Sequence, residues 1–198
     1  MTIPPGPGRL VIVSGPSGGG KTTIVQKLLR RLPRLARSVS VTTRPQRPGE
    51  RNGDHYRFVT AKQFKQLRVR GELLEWAKVH GASYGTPKAP IKRLLAKRRD
   101  VILSIDVQGA RQVRRRFGSR AILIFLAPPS LKDLKARLMK RATDSPRAIR
   151  QRLAVAKREL SCVAWYDYTI VNRRLYGAVE QLRAVLVAER LRVRQTRS

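Results

Sequence analysis

The sequence predicts an α/β domain, a parallel sheet covered by helices, on three observations. Apolar runs at 10–14, 101–105 and 121–126 each end in a turn and are followed by a helical pattern, the strand-loop-helix rhythm of a parallel sheet. Gly15-Pro16-Ser17-Gly18-Gly19-Gly20-Lys21-Thr22, directly after the first run, fits the pattern G-x-x-x-x-G-K-[ST] in full. The chain has 198 residues, 41% of them hydrophobic, which suits one compact domain with a core and excludes two large ones.

The first run is a buried strand. In the glycine-rich turn after it, consecutive backbone N–H groups can curl around phosphate oxygens that side chains would obstruct. The Lys21 ammonium can reach β- and γ-phosphates, and the Thr22 hydroxyl can ligate Mg²⁺. A helix over about 22–32 points its positive end at the same anion. An ordinary glycine-rich turn would also join a strand to a helix, but both flanks have the character that phosphate binding requires.

Pro33 stops that helix, and 38–42 reads as a short strand. Residues 43–54 are rich in Pro and Gly and form a loop, and 56–59 alternates like a strand. Thr60 caps a helix running to about residue 69 and ended by Gly71. The stretch 73–79 is extended, 81–85 is turn-rich, and Thr86-Pro87 opens a helix to about residue 98. The strand at 101–105 stops at Asp106, and a helix follows to about residue 117. After the strand at 121–126, Pro128-Pro129-Ser130 leads into a helix through about residue 140. Residues 142–146 break the pattern, and Ser145-Pro146 starts a helix to about residue 164. The last strand is 168–171, and a terminal helix begins at Leu175. Residues 38–86 interrupt the strand-loop-helix rhythm and read as an insertion over the ligand end of the sheet.

Twelve acidic residues face forty-four Lys and Arg, a net charge of +32 that suits polyanionic partners. The basic residues are spread over nearly every helix, with clusters at Arg114-Arg115-Arg116 and around Arg190, Arg192, Arg194 and Arg197. No basic stripe with interleaved aromatics marks a nucleic-acid module. The charge reads as a solvated Arg-rich surface that attracts nucleotides, with nonspecific nucleic-acid binding at low salt. No apolar run approaches the roughly 18 residues that span a bilayer, and the start is no signal peptide. The one cysteine, Cys162, excludes an intramolecular disulfide and falls in a helical pattern with Leu153, Ala156, Leu160 and Val163, as a small buried hydrophobe. Two histidines without a Cys/His cluster give a zinc site no support. The setting predicted is cytoplasmic and reducing, with oligomeric state left open.

A second constellation identifies the other substrate. Ser38-Val39-Ser40-Val41-Thr42-Thr43-Arg44-x-x-Arg47-x-Gly49-Glu50-x-Asn52-Gly53-x-x-Tyr56 gathers two arginines, hydroxyls and a tyrosine. Glu75-Trp76-Ala77, Tyr84-Gly85-Thr86 and Ile105-Asp106-x-Gln108-Gly109 follow. Two arginines three apart in a loop can grip one phosphate through paired N–H forks, with Ser40, Tyr56 and Tyr84 as neutral donors. In order and spacing these motifs resemble guanylate kinase over nearly the whole chain, from Gly8 to about Arg190.

The resemblance implies a P-loop NTPase-type parallel sheet covered by helices, with a small mixed α+β GMP-binding insertion and a helical lid. It implies a core at about 8–37, 87–136 and 165–198, an insertion at about 38–86 and a lid at about 137–164. The implied activity is transfer of the γ-phosphoryl of ATP to GMP, and to dGMP, giving ADP and GDP with Mg²⁺. ATP would be held by Gly15 through Thr23, with Thr23 the last of them. Asn172 stands where the family contacts adenine, a residue type that also suits a turn. Ser40, Arg44, Arg47, Tyr56 and Tyr84 would hold the phosphate of GMP, although Arg44 and Arg47 are also two of many surface arginines. Guanine presents N1–H and N2–H side by side, and a carboxylate pairs with both, whereas adenine has an unprotonated N1 there. The resemblance gives that task to Glu75, with Thr86 on O6 and Asp106 near the base edge and, through water, the metal that Thr22 ligates directly. Lys21, Arg44, Arg137, Arg141 and Arg152 would carry the transfer, which needs no general base because the acceptor is already an anionic phosphate oxygen. Ser104 stands where family members usually have an aspartate, Ser83 where a tyrosine often precedes Tyr84, and Lys140-Arg141-Ala142 where many have glycine beside the arginine. A ribose-phosphate kinase would lack Glu75, and a scaffold module that binds peptides would have a damaged phosphate loop.

Overall fold

The computed structural model describes residues 7–79, 81–140 and 145–192. Its centre is a five-stranded parallel sheet. β1 (Leu10–Ser14) lies between β7 (Asp100–Ser104) and β8 (Ala121–Ala127), with β2 (Leu35–Arg37) outside β7 and β9 (Tyr168–Val171) outside β8. Because successive side chains alternate between faces, Val11, Val13 and Ile124 turn to one side and Leu10, Ile12 and Leu123 to the other. The first face packs against α1 (Lys21–Leu29) and α7 (Leu175–Leu191) through Ile24, Leu28 and Leu182. The second packs against α3 (Lys88–Ala96) and α4 (Val107–Phe117) through Ile91 and Val113. Both faces are covered, which is why these strands read as continuous apolar runs.

A second sheet rises from the insertion in the order β4 (Arg57–Phe58), β3 (Val41–Thr42), β6 (Ala82–Pro87), β5 (Leu73–Val79). Helix α2 (Ala61–Val69) packs on it through Phe64 and starts with a capping box between Thr60 and Gln63. Helices α5 (Leu131–Met139) and α6 (Pro146–Leu160) join through Leu134, Leu138 and Ala156.

The fold class follows the sequence, while several elements differ. The strand expected at 38–42 is shorter: only β3, at 41–42 in the small sheet, is strand, while 38–40 carries the chain over from β2, an unexpected strand of the large sheet that ends at Arg37. Of the turn-rich 81–85, Gly81 is a turn residue and 82–85 belong to β6, where Ser83, Tyr84 and Gly85 pair with Lys78, Ala77 and Trp76; cross-strand pairing overrides their turn-like composition. Thr86 is therefore a strand residue, and Pro87 stands at the cap of α3 without a side-chain bond. Cys162 lies past the end of α6, half-buried in a turn rather than inside a helix.

Candidate active site

The carboxyl ends of β1 and β7 face the insertion across a cleft of about 930 Å³. Crevices outside the carboxyl ends of parallel strands are where such sheets take ligands. The β1–α1 loop, the small sheet and one face of α6 all contribute to this cleft.

At one end is the glycine-rich loop. Gly15 has φ 133°, and a Cβ on it would run into the Leu126 carbonyl, so no other residue fits this turn. Pro16 and Gly19 are buried behind the loop and close it through a Gly19 N–H to Pro16 O bond of 3.0 Å. Ser17, Gly18, Gly20, Lys21, Thr22 and Thr23 line the cleft. Helices α2, α4, α5 and α6 are capped by the side chains of Thr60, Asp106, Ser130 and Ser145. Helix α1 has left-handed Gly20 at its cap, no side-chain bond there and no acid in its first turn. Its first N–H groups and dipole are thus left to an anion. Lys21 Nζ donates to the carbonyls of Gly15 (2.5 Å) and Pro16 (3.0 Å), arching over the loop.

Asn172 and Arg137 brace this loop from behind. Asn172 is buried just past β9, and its Nδ2 donates to the Gly19 carbonyl at 2.9 Å. Arg137 on α5 donates to the Asn172 carbonyl at 2.7 Å, outside the cleft lining. Arg152 lines the cleft from α6. Arg141 lies outside the described residues.

In the middle, Arg44 donates from Nη2 to both Glu50 oxygens, at 2.8 and 3.0 Å, and lies over the rings of Tyr56 and Phe58. Tyr56 meets Tyr84 edge-on with centroids 5.9 Å apart. Arg47 is exposed at the rim, and its backbone N–H donates to Glu50 Oε2 at 2.9 Å. Burial pushes the Glu50 carboxyl up, but these donors outweigh it and hold it below the ordinary carboxylate value. Glu50 thus organises the arginine loop, a role that sequence reading missed; it is the one acid in a basic stretch. Arg37, also missed, lines the cleft and donates to the His55 carbonyl at 2.6 Å.

At the far end, Glu75 is 3% exposed and accepts a 2.5 Å hydrogen bond from the Thr86 hydroxyl, which lies 3.3 Å from Ser40 Oγ. Burial, with a smaller contribution from the Asp106 charge, pushes the Glu75 carboxyl up to about 7. A Cβ on Gly109 would strike Glu75 Oε2 and come within 3.0 Å of its Cδ, so glycine at that position lets the carboxylate lie on the first turn of α4. Asp106 caps the same turn, its Oδ1 accepting from the Gly109 N–H at 2.7 Å. Among the described residues, Asp106 Oδ2 is buried without a hydrogen-bond partner, an oxygen left over for a ligand.

Glu159 was also missed. It lines the cleft from α6, seven residues after Arg152 and so on the same helix face. Burial pushes its carboxyl up to about 7, the Lys21 charge opposing and the Asp106 charge adding. With Glu50, Glu75 and Asp106 it brings four of the chain's twelve acids to one cleft.

Comparison with known proteins agrees with this geometry. The family model for guanylate kinase matches residues 7–189. A guanylate kinase of Aromatoleum aromaticum is 50% identical over 186 residues, covering 94% of this chain and 91% of the relative. One of Carboxydothermus hydrogenoformans is 48% identical over 185 residues, covering 93% and 90%. The crystal structure of guanylate kinase from Anaplasma phagocytophilum superposes with a TM-score of 0.81 at 32% identity, covering 94% of this chain and 88% of that one.

Proposed function

The chain belongs to the guanylate kinase family, and from that premise we propose how its residues divide the work of phosphoryl transfer. It transfers the γ-phosphoryl group of ATP to GMP, giving ADP and GDP. The observation that carries the division is one cleft holding an uncapped glycine-rich helix start at one end and a buried, Thr86-paired carboxylate at the other.

The N–H groups from Gly15 to Thr23 and the Lys21 ammonium hold the β- and γ-phosphates of ATP. Arg44, Arg47, Tyr56, Tyr84 and Ser40 hold the GMP phosphate, with Glu50 keeping the two arginines in place. Glu75 accepts from guanine N1–H and N2–H, and Thr86 addresses O6. A GMP phosphate oxygen attacks the γ-phosphorus as the bond to the β-bridging oxygen breaks, and ADP leaves with that oxygen. The acceptor oxygen is already ionised, so catalysis is positioning and charge neutralisation by Lys21, Arg44 and Arg152. Arg137 and Asn172 support the loop from behind, and Arg141 extends the lid's set of arginines. The Thr22 hydroxyl and the orphan Asp106 Oδ2 are hard oxygen donors of the kind Mg²⁺ takes. When bound, Mg²⁺ neutralises charge on the triphosphate. dGMP presents the same base and phosphate, and we propose it as a second acceptor.

ATP and GMP are substrates of the cytoplasm, where we place the enzyme. Among the described residues no helix is long and apolar enough to cross a membrane. The net charge of +32 supports weak, salt-sensitive binding of nucleic acid and no dedicated recognition.

ADP release measured with ATP and Mg²⁺ tests the substrate choice. GMP should support strong turnover, with kcat/KM for AMP lower by about a thousandfold. Comparable use of AMP would overturn the assignment of Glu75.

The state of Glu75 also sets a pH dependence. Only the ionised carboxylate pairs with the two guanine donors, so kcat/KM for GMP should fall as pH is lowered through about 7. The Glu75→Gln variant, which shares every titration of GMP itself, should show a flatter profile there. Identical profiles would exclude Glu75 as the titrating group. In the nucleotide-free protein the sign is opposite: the folded state binds this proton more tightly than the unfolded state. Stability from this group is therefore full below about 4.5 and lost as pH rises to about 7.

A further inference from the structure

β5 is the edge strand of the small sheet, paired on one side with β6. The groups on its other side would be unpaired without a covering element. Helix α4 supplies that cover with side chains. Gln112 Nε2 donates to the Trp76 carbonyl at 2.6 Å, and its Oε1 accepts from the Trp76 N–H at 3.2 Å. One primary amide thus reproduces both bonds of a neighbouring strand. One turn further on, Arg116 Nη1 donates to the carbonyls of Leu73 (3.3 Å) and Leu74. Gly109, Gln112 and Arg116 stand at i, i+3 and i+7, so a single stripe of α4 meets the strand. That stripe begins where Gly109 touches the Glu75 carboxylate, and the register of β5 shifts between Leu73 and Glu75. Such an irregularity re-aims the side chain beside it.

We propose that Gln112 is a positioning residue for base recognition: its two-bond clamp on Trp76 holds the neighbouring Glu75 at the depth and angle at which both carboxylate oxygens meet the guanine donors. This rests on the reading of Glu75 given above. Glu75 is confined from three directions, by Gly109 beneath it, by the Thr86 hydroxyl on Oε1, and by the clamp one residue along the strand. Gly109 and Thr86 limit where the carboxylate can go. The clamp fixes the backbone from which it extends.

The test is Gln112→Met, which keeps length and loses both hydrogen bonds, assayed with GMP and with its 2-deamino analogue IMP. KM for GMP should rise about tenfold, the effect of one to two lost hydrogen bonds, while KM for ATP and kcat at saturating GMP stay unchanged. The preference for GMP over IMP should shrink with it, because that ratio reports the N2–H to carboxylate bond. Gln112→Glu, which keeps the acceptor and loses the donor, should fall between wild type and Gln112→Met and gives a second reading if the methionine variant folds poorly. A loss of thermal stability in which both KM values rise together, with the GMP to IMP ratio intact, would overturn the positioning role. Glu75→Gln measured alongside separates the two claims. Loss of the preference there with none in Gln112→Met overturns the clamp alone; retention in both overturns the reading of Glu75 and the clamp with it.

Discussion

Lys21→Ala is expected to lower kcat by about a thousandfold while the protein still folds, the loss typical of one preorganised charge at a phosphoryl-transfer centre. Lys21 is the cation held directly over the glycine-rich loop, arched across it by the carbonyls of Gly15 and Pro16. Alanine leaves the N–H groups of α1 to bind a triphosphate but removes the charge that offsets the transferred group. The side chain is half-buried at the cleft rim and outside the core clusters, so thermal unfolding should shift by a few degrees at most. Binding of ATP should weaken much less than kcat, because the loop, the helix dipole and the other cations remain. Near-normal turnover in this variant would remove Lys21 from the mechanism. A collapse of folding would instead make its loop contacts structural.

Glu75→Gln should lower kcat/KM for GMP by about a hundredfold, in keeping with loss of a charge-assisted pair of hydrogen bonds in a buried site. Glutamine can offer one acceptor, and its amide group then faces one of the guanine donors. Discrimination against AMP should shrink by a similar factor. At pH 8 the same substitution should leave the nucleotide-free protein at least as stable as wild type. The native carboxylate is 3% exposed, and burial pushes its pKa up to about 7, so the charge is held at a cost that glutamine avoids. A variant that lost stability and kept its preference for GMP would show Glu75 to be a structural carboxylate. Kinetics with GMP and AMP, together with a melting curve at pH 8, decide it.

What the chain discloses without its structure divides along physical lines. The central strands were legible because burial on both faces leaves an unbroken apolar run, and the phosphate loop because its spacing is set by backbone geometry. β2 was not legible: Leu35–Arg37 is three residues long and edges the sheet, too little for a period to register. β6 was hidden by Ser83 and Gly85, whose extended form is dictated by β5 across from them. The residues assigned to each ligand were named from their motifs, but the residues packed around them were not. Glu50 makes its contacts within a loop's own fold and Gln112 to a strand distant in sequence, Glu159 reaches the cleft from α6, and nothing in local spacing marks them. Arg137 was expected among the lid arginines, yet its guanidinium is turned to the Asn172 carbonyl, a contact decided by the docking of α5 against the end of β9.

The placement of β1 between β7 and β8 has a consequence during synthesis. β1 leaves the ribosome with no partner, since its neighbours begin only at Asp100 and Ala121. The hairpin of β5 and β6 closes locally before either arrives, whereas the parallel sheet, whose strands are all joined by long crossovers, must wait. The nascent chain therefore carries an unpartnered Leu-Val-Ile-Val segment through nearly half of its translation, until β7 arrives. Its brevity, five residues between Arg9 and a glycine-rich turn, limits what it can pair with in that interval. The strand at the middle of the finished sheet is the one that spends longest alone.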